Sequence, residues 1–389
     1  SNPVPSNPVP SNPVPSNPVP SKPLPSKPAD VDCLKLTSYF GERQRVRDAG
    51  GRFAADALLD LYGRHQVAAS ILLRGTEGFG SRQRLRTDRS LTLSEDLPLI
   101  AIAAGARSRV EPLFDEARRL TGTGLVTLES ARLLTAGTGT GTGTGGTGIE
   151  PVQLPPGPSG EATKLTVYLG RQERSCRVPA FAAVCDLLHR RGVAGATALL
   201  GVDGTVNGER ERAAFFGRNA EVPMMVIAVG PAASIGRVLP ELGALLRRPL
   251  LTLERVHACK RDGQLLGTPA DLPAAGSGGR PLWHKLMIYT SEAALHAGQP
   301  VHRAILRRLR AAGISGATTM RGVWGFHGDH EPHGDKLLQL GRRVPAVTVV
   351  IDTPGRITTA FGIIDELTSE QGLVSCETVP AIAPVRLRA

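Results

Sequence analysis

Three tandem α+β units, each ordered strand–helix–strand–strand–helix–strand, are what this sequence predicts. Two observations carry the prediction. The pattern Lys-Leu-Thr-Ser-Tyr from Lys35 returns as Lys-Leu-Thr-Val-Tyr from Lys164 and Lys-Leu-Met-Ile-Tyr from Lys285. Later signals also recur in order. One strand ends at Arg74-Gly75, Leu200-Gly201 or Arg321-Gly322, and the next opens at Leu97-Pro98, Val222-Pro223 or Val344-Pro345. Last comes a short Thr/Ser-x-Glu strand at Thr127 to Glu129, Thr252 to Glu254 and Ser375 to Glu377. Corresponding positions lie roughly 120–130 residues apart, too long for a solenoid repeat and right for whole domains. A length of 389 residues independently predicts two or three domains.

The elements follow in chain order. Residues 1–28, within a Pro-rich tail spanning 1–30, are four copies of Ser-Asn-Pro-Val-Pro and two Lys-containing variants. Proline at that density removes backbone donors and favours an extended, coreless tail. A disordered extension is the plain reading, and a docking segment for a proline-recognising partner is the alternative. Domain 1 spans 31–136, a Gly/Thr/Pro linker 137–162, domain 2 163–262, a second linker 263–281, and domain 3 282–382. The first helix of each domain carries Phe53, Ala57, Leu58, Leu61; Phe181, Val184, Leu187, Leu188; or Val301, Ile305, Leu306, Leu309. The second carries Val110, Leu113, Phe114, Ala117; Ile235, Val238, Leu239, Leu242; or Ile357, Ala360, Phe361, Ile364. These spacings lay one apolar stripe against a sheet. The strands are β-branched and apolar, as at Ile100 to Ala103, Val226 to Val229 and Val347 to Ile351. A βαββαβ order with both helices on one face gives a ferredoxin-like sandwich with one bare sheet face. Three such faces are expected to pack toward a common centre as an intramolecular pseudo-trimer.

Composition narrows the function classes. A net charge of +11, nearly all of it outside the tail, favours anionic partners. The five cysteines form no C-x-x-C, which argues against a disulfide framework or structural zinc and for a reducing cytoplasm. The longest apolar runs are strand-length, and no secretion signal opens the sequence. No nucleophile–base or paired-carboxylate set recurs in all three copies, so no enzyme is predicted. Glu129, Glu254 and Glu377 do recur, in strands where solvent exposure or structural pairing explains them equally well. Aromatic residues make up 4% of the chain, too few for the stacking platforms of RNA-binding sheets.

Several short motifs together resemble one known family. They are Lys164-Leu-Thr-Val-Tyr-Leu-Gly170, the Gly-Val-Ala-Gly-Ala-Thr run from Gly192, Leu250 to Glu254, Arg74 to Gly80, Ser94 to Pro98 and Gly124 to Glu129. They resemble the domain of unknown function 190 family, relatives of the PII signalling proteins, over three blocks of about 100 residues. The resemblance implies PII-like domains that bind an anionic effector, such as an adenine nucleotide, in clefts between units. It also implies a protein partner engaged by the loop after the second strand, with a membrane ion exporter of the fluoride-channel type as one candidate. Arg74, Gly75, Gly78, Phe79, Gly80, Arg82 and Arg84 stand where that loop leaves the sheet in copy one, with Arg86 and Arg89 nearby. Glycine there permits positive φ and lets backbone N–H groups approach an anion. Gly201, Gly204, Gly208 and Arg210 correspond in copy two, where the aromatic is lost. Arg321, Gly322, Gly325 and Phe326 correspond in copy three. The glycine-rich phosphate loop of PII proteins is matched only weakly, by Thr121 to Gly124 in copy one. Copy three alone places His327, His330 and His333 three residues apart beside Asp329 and Asp335, a set able to surround a divalent metal. The alternatives are a metal-binding protein or an interaction module without ligand.

Overall fold

The computed structural model describes residues 31–46, 50–88, 96–135, 149, 160–206, 209–210, 222–276, 282–328, 331–334 and 344–382. The expectations for the Pro-rich tail and for nearly all of the first linker fall outside these residues.

Copy one contains β1 (Val31–Gly41), α1 (Ala54–Arg64), β2 (Ala69–Arg74), β3 (Glu77–Phe79), β4 (Pro98–Ala106), α2 (Phe114–Thr121) and β5 (Leu125–Thr135). Copy two contains β6 (Glu161–Gly170), α3 (Ala180–Arg190), β7 (Gly195–Leu200), β8 (Asp203–Val206), β9 (Pro223–Gly230), α4 (Ala232–Leu245) and β10 (Leu250–Arg261). Copy three contains β11 (Trp283–Ser291), α5 (Val301–Ala311), β12 (Ala317–Arg321), β13 (Trp324–His327), β14 (Pro345–Asp352), α6 (Pro354–Leu367), β15 (Leu373–Val379) and β16 (Ala381–Ile382). Within each copy the four long strands pair antiparallel in one spatial order: β2–β4–β1–β5, β7–β9–β6–β10 and β12–β14–β11–β15.

The sequence periods explain the layers. Along the first strand of each copy, side chains alternate between faces. Leu34 and Leu36, Leu165 and Val167, and Leu286 and Ile288 enter three separate cores beneath the helices. The opposite faces meet in one central core drawn from all three copies, with Ile102 and Leu73, Ile227 and Tyr168, and Val349 and Tyr289 among its members. Full burial of one aliphatic side chain contributes about 1.5–3 kcal/mol, which drives the bare faces together. The expected helix stripes are buried almost throughout. Phe53 departs from its expected place. It precedes α1 in an extended conformation, 38% exposed, with the Arg45 guanidinium 4.2 Å above its ring. The second helix of copy one is also broken by a tight turn at Glu111–Leu113, where Pro112 lacks the N–H that would continue it.

One helix end supplies a test. After the first helix of each copy, the chain turns through positive φ at Gln66 (50°), Gly192 (70°) and Gly313 (73°). Glycine adopts that conformation freely, whereas an L side chain carries strain of roughly 1–2 kcal/mol. Gln66 also accepts a 2.9 Å hydrogen bond from Arg109. Gln66→Gly is therefore expected to raise stability by about 0.5–1 kcal/mol, read as a higher urea midpoint.

The copies are joined edge to edge. β8 of copy two pairs with β2 of copy one, β13 of copy three with β7 of copy two, and β3 of copy one with β12 of copy three. The fourth strands form a second closed series: β10 pairs with β5 at one end and β15 at the other, and β16 returns to β5. Twenty described strands thereby belong to a single sheet.

Candidate functional site

The lysines that open the repeated motif point inward from the first strands. In strand register, Lys35 faces Glu129, Lys164 faces Glu254, and Lys285 faces Glu377. The Nζ–carboxylate distances within these pairs are 2.8, 2.5 and 2.8 Å. Each lysine also reaches the glutamate of a neighbouring copy. Lys35 pairs with Glu254, Lys164 with Glu377 at 2.6 Å, and Lys285 with Glu129 at 2.9 Å. Six alternating charges thus close a ring, and every one of these side chains is at most 8% exposed. Thr127 donates a further 2.8 Å hydrogen bond to Glu129.

Burial opposes ionisation of Glu129, Glu377, Lys35 and Lys285, yet their charged neighbours win. Burial alone would raise the Glu129 carboxyl, but Lys285, Lys35 and Lys164 hold it well below the usual carboxylate range. Glu377 is likewise lowered, with Lys164 and Lys285 overcoming its burial. Burial would strip the Lys35 ammonium of its proton, but Glu129, Glu254 and Glu377 push it well above its ordinary value, and Lys285 is raised for the same reason. The three carboxylates lie close enough to hold a cation, with one oxygen of each within 4.8 Å of the others. The three ammoniums already supply that positive charge.

The seams between copies hold most of the expected ligand-binding residues, and their backbone groups are engaged in the sheet. The N–H groups of Gly75, Gly201 and Gly322 donate to Pro98, Pro223 and Pro345 carbonyls at 2.8, 2.9 and 2.7 Å. The next N–H in each copy donates across the seam: Thr76 to Thr319, Val202 to Leu72, and Val323 to Ala198, each at 2.8 Å. These donors are spent on the sheet and are not free to hold an anion. Gly78, Gly204 and Gly325 are required by close approach, since a Cβ would stand 2.7, 2.2 and 2.2 Å from the carbonyl oxygens of Ala317, Ser70 and Ala196. Phe79 and Phe326 are buried in the helix-side cores of copies three and two, and Phe326 meets His189 edge-on at 4.9 Å. Thr205 stands at the same place in copy two and shares a 2.9 Å hydrogen bond with Ser70.

The arginines divide. Arg74 is paired with Glu42 at 3.0 Å, Arg321 with Glu292 at 2.5 Å and Arg86 with Asp96 at 2.8 Å. Arg82, Arg84 and Gly80 are exposed at the rim, and Glu77 of the same segment binds Arg303 of copy three at 2.7 Å. Gly208, Arg89 and the Arg210 side chain lie outside the described residues. So do His330, Asp329 and Asp335. His327 is buried in the seam, while His333 donates from Nδ1 to the Glu331 carbonyl at 2.7 Å. The described residues do not bring the histidines together around a metal. Between copies two and three, Thr197, Tyr289, Thr290, Phe326 and His327 line a cavity of about 10 Å³, room for one water.

A family model described as "Uncharacterized ACR", domain of unknown function 190, matches residues 33–133, 162–258 and 283–381, more than half of the sequence. The chain belongs to this family. A UPF0166 protein of Aquifex aeolicus (strain VF5) is 32% identical over 98 residues, covering 25% of this chain and 90% of that protein. The crystal structure of aspartate kinase from Synechocystis matches at 12% identity with a TM-score of 0.21. That match covers 90% of this chain and 43% of the kinase, a likeness too slight to carry an argument. Among the described residues no helix is long and apolar enough to cross a membrane.

The axial ring was visible in the sequence only as two unconnected recurrences. Lys35, Lys164 and Lys285 marked the start of each repeat, and the glutamates had two open explanations. A charged residue alternating with Thr and Tyr on a face expected to be apolar was the available signal.

Proposed function

We propose that this chain is a PII-like regulator: three ferredoxin-like domains closed into a single-chain pseudo-trimer, acting by binding rather than catalysis. The observation that supports it most is the seam arrangement. Each copy sends the strand after its second sheet strand across to a neighbour, directly before the segment that PII-like proteins use as a partner loop. A ligand at a seam would therefore act on both the junction and the loop that leaves it. The effector is an anionic small molecule of the adenine-nucleotide class, held at the exposed rim where Arg82 and Arg84 are free of described partners. The inner seam is too tightly closed for a nucleotide as it stands. The partner is a protein, with a membrane transporter as one candidate, and the setting is cytoplasmic.

Thermal melting against ATP, ADP, AMP, a cyclic nucleotide, bicarbonate and zinc tests the proposal. A binding effector at 100 times its Kd adds about 2.7 kcal/mol and is expected to raise Tm by several degrees. The paired substitution Arg82→Ala/Arg84→Ala is expected to abolish that rise while leaving the unliganded Tm within about 1 °C, because both side chains are exposed. Absence of any shift across the panel would exclude the effector reading. A zinc-specific shift would instead favour the histidine loop of copy three.

A further inference from the structure

On one side of the Lys/Glu ring lies a second, partly open cavity of about 30 Å³. All three lysines line it, together with Thr37, Thr166, Tyr39 and a wall of aliphatic and methionine side chains. No aspartate or glutamate is among the lining residues. The carboxylates belong to the fourth strands, and the chamber opens toward the second and third.

The donor count at this chamber is unequal. An ammonium carries three N–H donors and each lysine has two carboxylate neighbours in the ring, which leaves one donor apiece beyond them, although Glu129 Oε2 and Glu254 Oε2 are themselves without an aligned hydrogen-bond donor. The Thr37 hydroxyl is buried at 2% residue exposure and has no hydrogen-bond partner. A water molecule accepts about two hydrogen bonds and must place its own two hydrogens, for which the lining side chains offer only hydroxyl oxygens and thioethers. A compact anion accepts every donor and has no hydrogens to place. The ring is neutral overall, so an anion here is held by N–H donors turned toward the chamber and not by net charge.

We infer that this axial chamber binds one small monovalent inorganic anion, of halide size or a little larger, between Lys35, Lys164 and Lys285 with Thr37 as an additional donor. The volume admits about two water-sized particles, which excludes nucleotides and organic effectors. The site is separate from the seams and does not depend on their reading as effector sites. Occupancy there would tie the central core of all three copies to the surrounding anion concentration.

The test uses the full chain in sodium bromide or sodium gluconate at equal ionic strength, since gluconate is too large to enter. Melting is expected to rise by several degrees and to saturate with bromide, relative to gluconate. Crystals grown with bromide are expected to show one anomalous peak on the axis, within hydrogen-bond reach of the three Nζ atoms. Thr37→Val keeps the shape and removes the hydroxyl. It is expected to keep or raise the gluconate melting point, since it removes an unpartnered buried hydroxyl, and to weaken apparent bromide affinity by about tenfold, the effect of one lost charge-assisted hydrogen bond. Thr166→Val serves as the second variant if Thr37→Val fails to fold. Water alone on the axis, bromide confined to the surface, or bromide dependence unaltered by both threonine variants would each overturn the assignment.

Discussion

Lys164→Met is expected to cost about 3–5 kcal/mol of stability at pH 7.5, seen as a large fall in the urea midpoint. The figure is not the worth of a contact. Lys164 is 1% exposed and serves both Glu254 and Glu377, so its loss leaves one excess negative charge sealed in the interior. Charge balance rather than shape is the cause, because methionine has a similar reach. Two further measurements separate these explanations. Adding Glu254→Gln should restore neutrality and recover part of the loss, giving a double variant more stable than the sum of single effects predicts. A simple packing defect would give additive costs. The deficit of Lys164→Met should also shrink as pH falls toward 5, because an orphaned carboxylate can then take up a proton.

The intact ring sets its own pH window. Glu129 and Glu377 are lowered from the ordinary 4.5, so their contribution is present above that value and is lost as pH falls through their folded-state pKa. Lys35 and Lys285 are raised from 10.5, so theirs is present below that value and is lost as pH rises through the folded-state pKa. Urea midpoints should therefore form a plateau between about pH 5 and 10 and fall on both sides.

Gly325→Ala is expected to cost about 2–6 kcal/mol, combining roughly 1–3 for backbone strain with roughly 1–3 for overpacking. Gly325 has φ +151°, and a Cβ there would meet the Ala196 carbonyl at 2.2 Å and the Thr197 Cα at 3.0 Å. Little in that seam can yield cheaply, since two of the obstacles are main-chain atoms of the facing strand and the third, Pro345 Cγ at 2.9 Å, belongs to a rigid ring. Gly204, with φ +147° and the Ser70 carbonyl 2.2 Å away, should respond alike. Gly80 is the control, because a Cβ would meet nothing within 4 Å, and Gly80→Ala should change stability by less than about 0.5 kcal/mol. Were the seam glycines an anion cradle instead, Gly325→Ala would weaken ligand binding and leave the melting point alone.

The repeat, the helix stripes and the alternation of the first strands were legible because each is a local period. Lys-x-Thr-x-Tyr told which side chains share a face, and the structure places that face at the centre. The partner of each lysine was not legible, since the facing glutamate lies almost a hundred residues along in the same copy and in a different copy besides. The seam shows the same limit. Phe326 opposes Ala196 and Phe79 opposes Ala317, while Thr205 opposes Ser70. Copy two's missing aromatic is therefore half of a matched exchange: a small hydrophobe receives a ring, and a serine receives a hydroxyl. Comparing equivalent positions among the repeats shows the loss, but its compensation sits at a different position in another repeat. The glycines were ambiguous for a related reason, because tight strand contact and an anion-binding turn ask for the same residue.

That matched exchange has an evolutionary corollary. An assembly of three identical subunits would carry every substitution at all junctions together, so a serine facing a threonine would have to suit all of them. Joining the units end to end lifts that restriction, and here one junction has already taken a different chemistry. The covalent joint also makes closure independent of dilution, so specialisation of a single junction does not risk exchanging or losing a subunit.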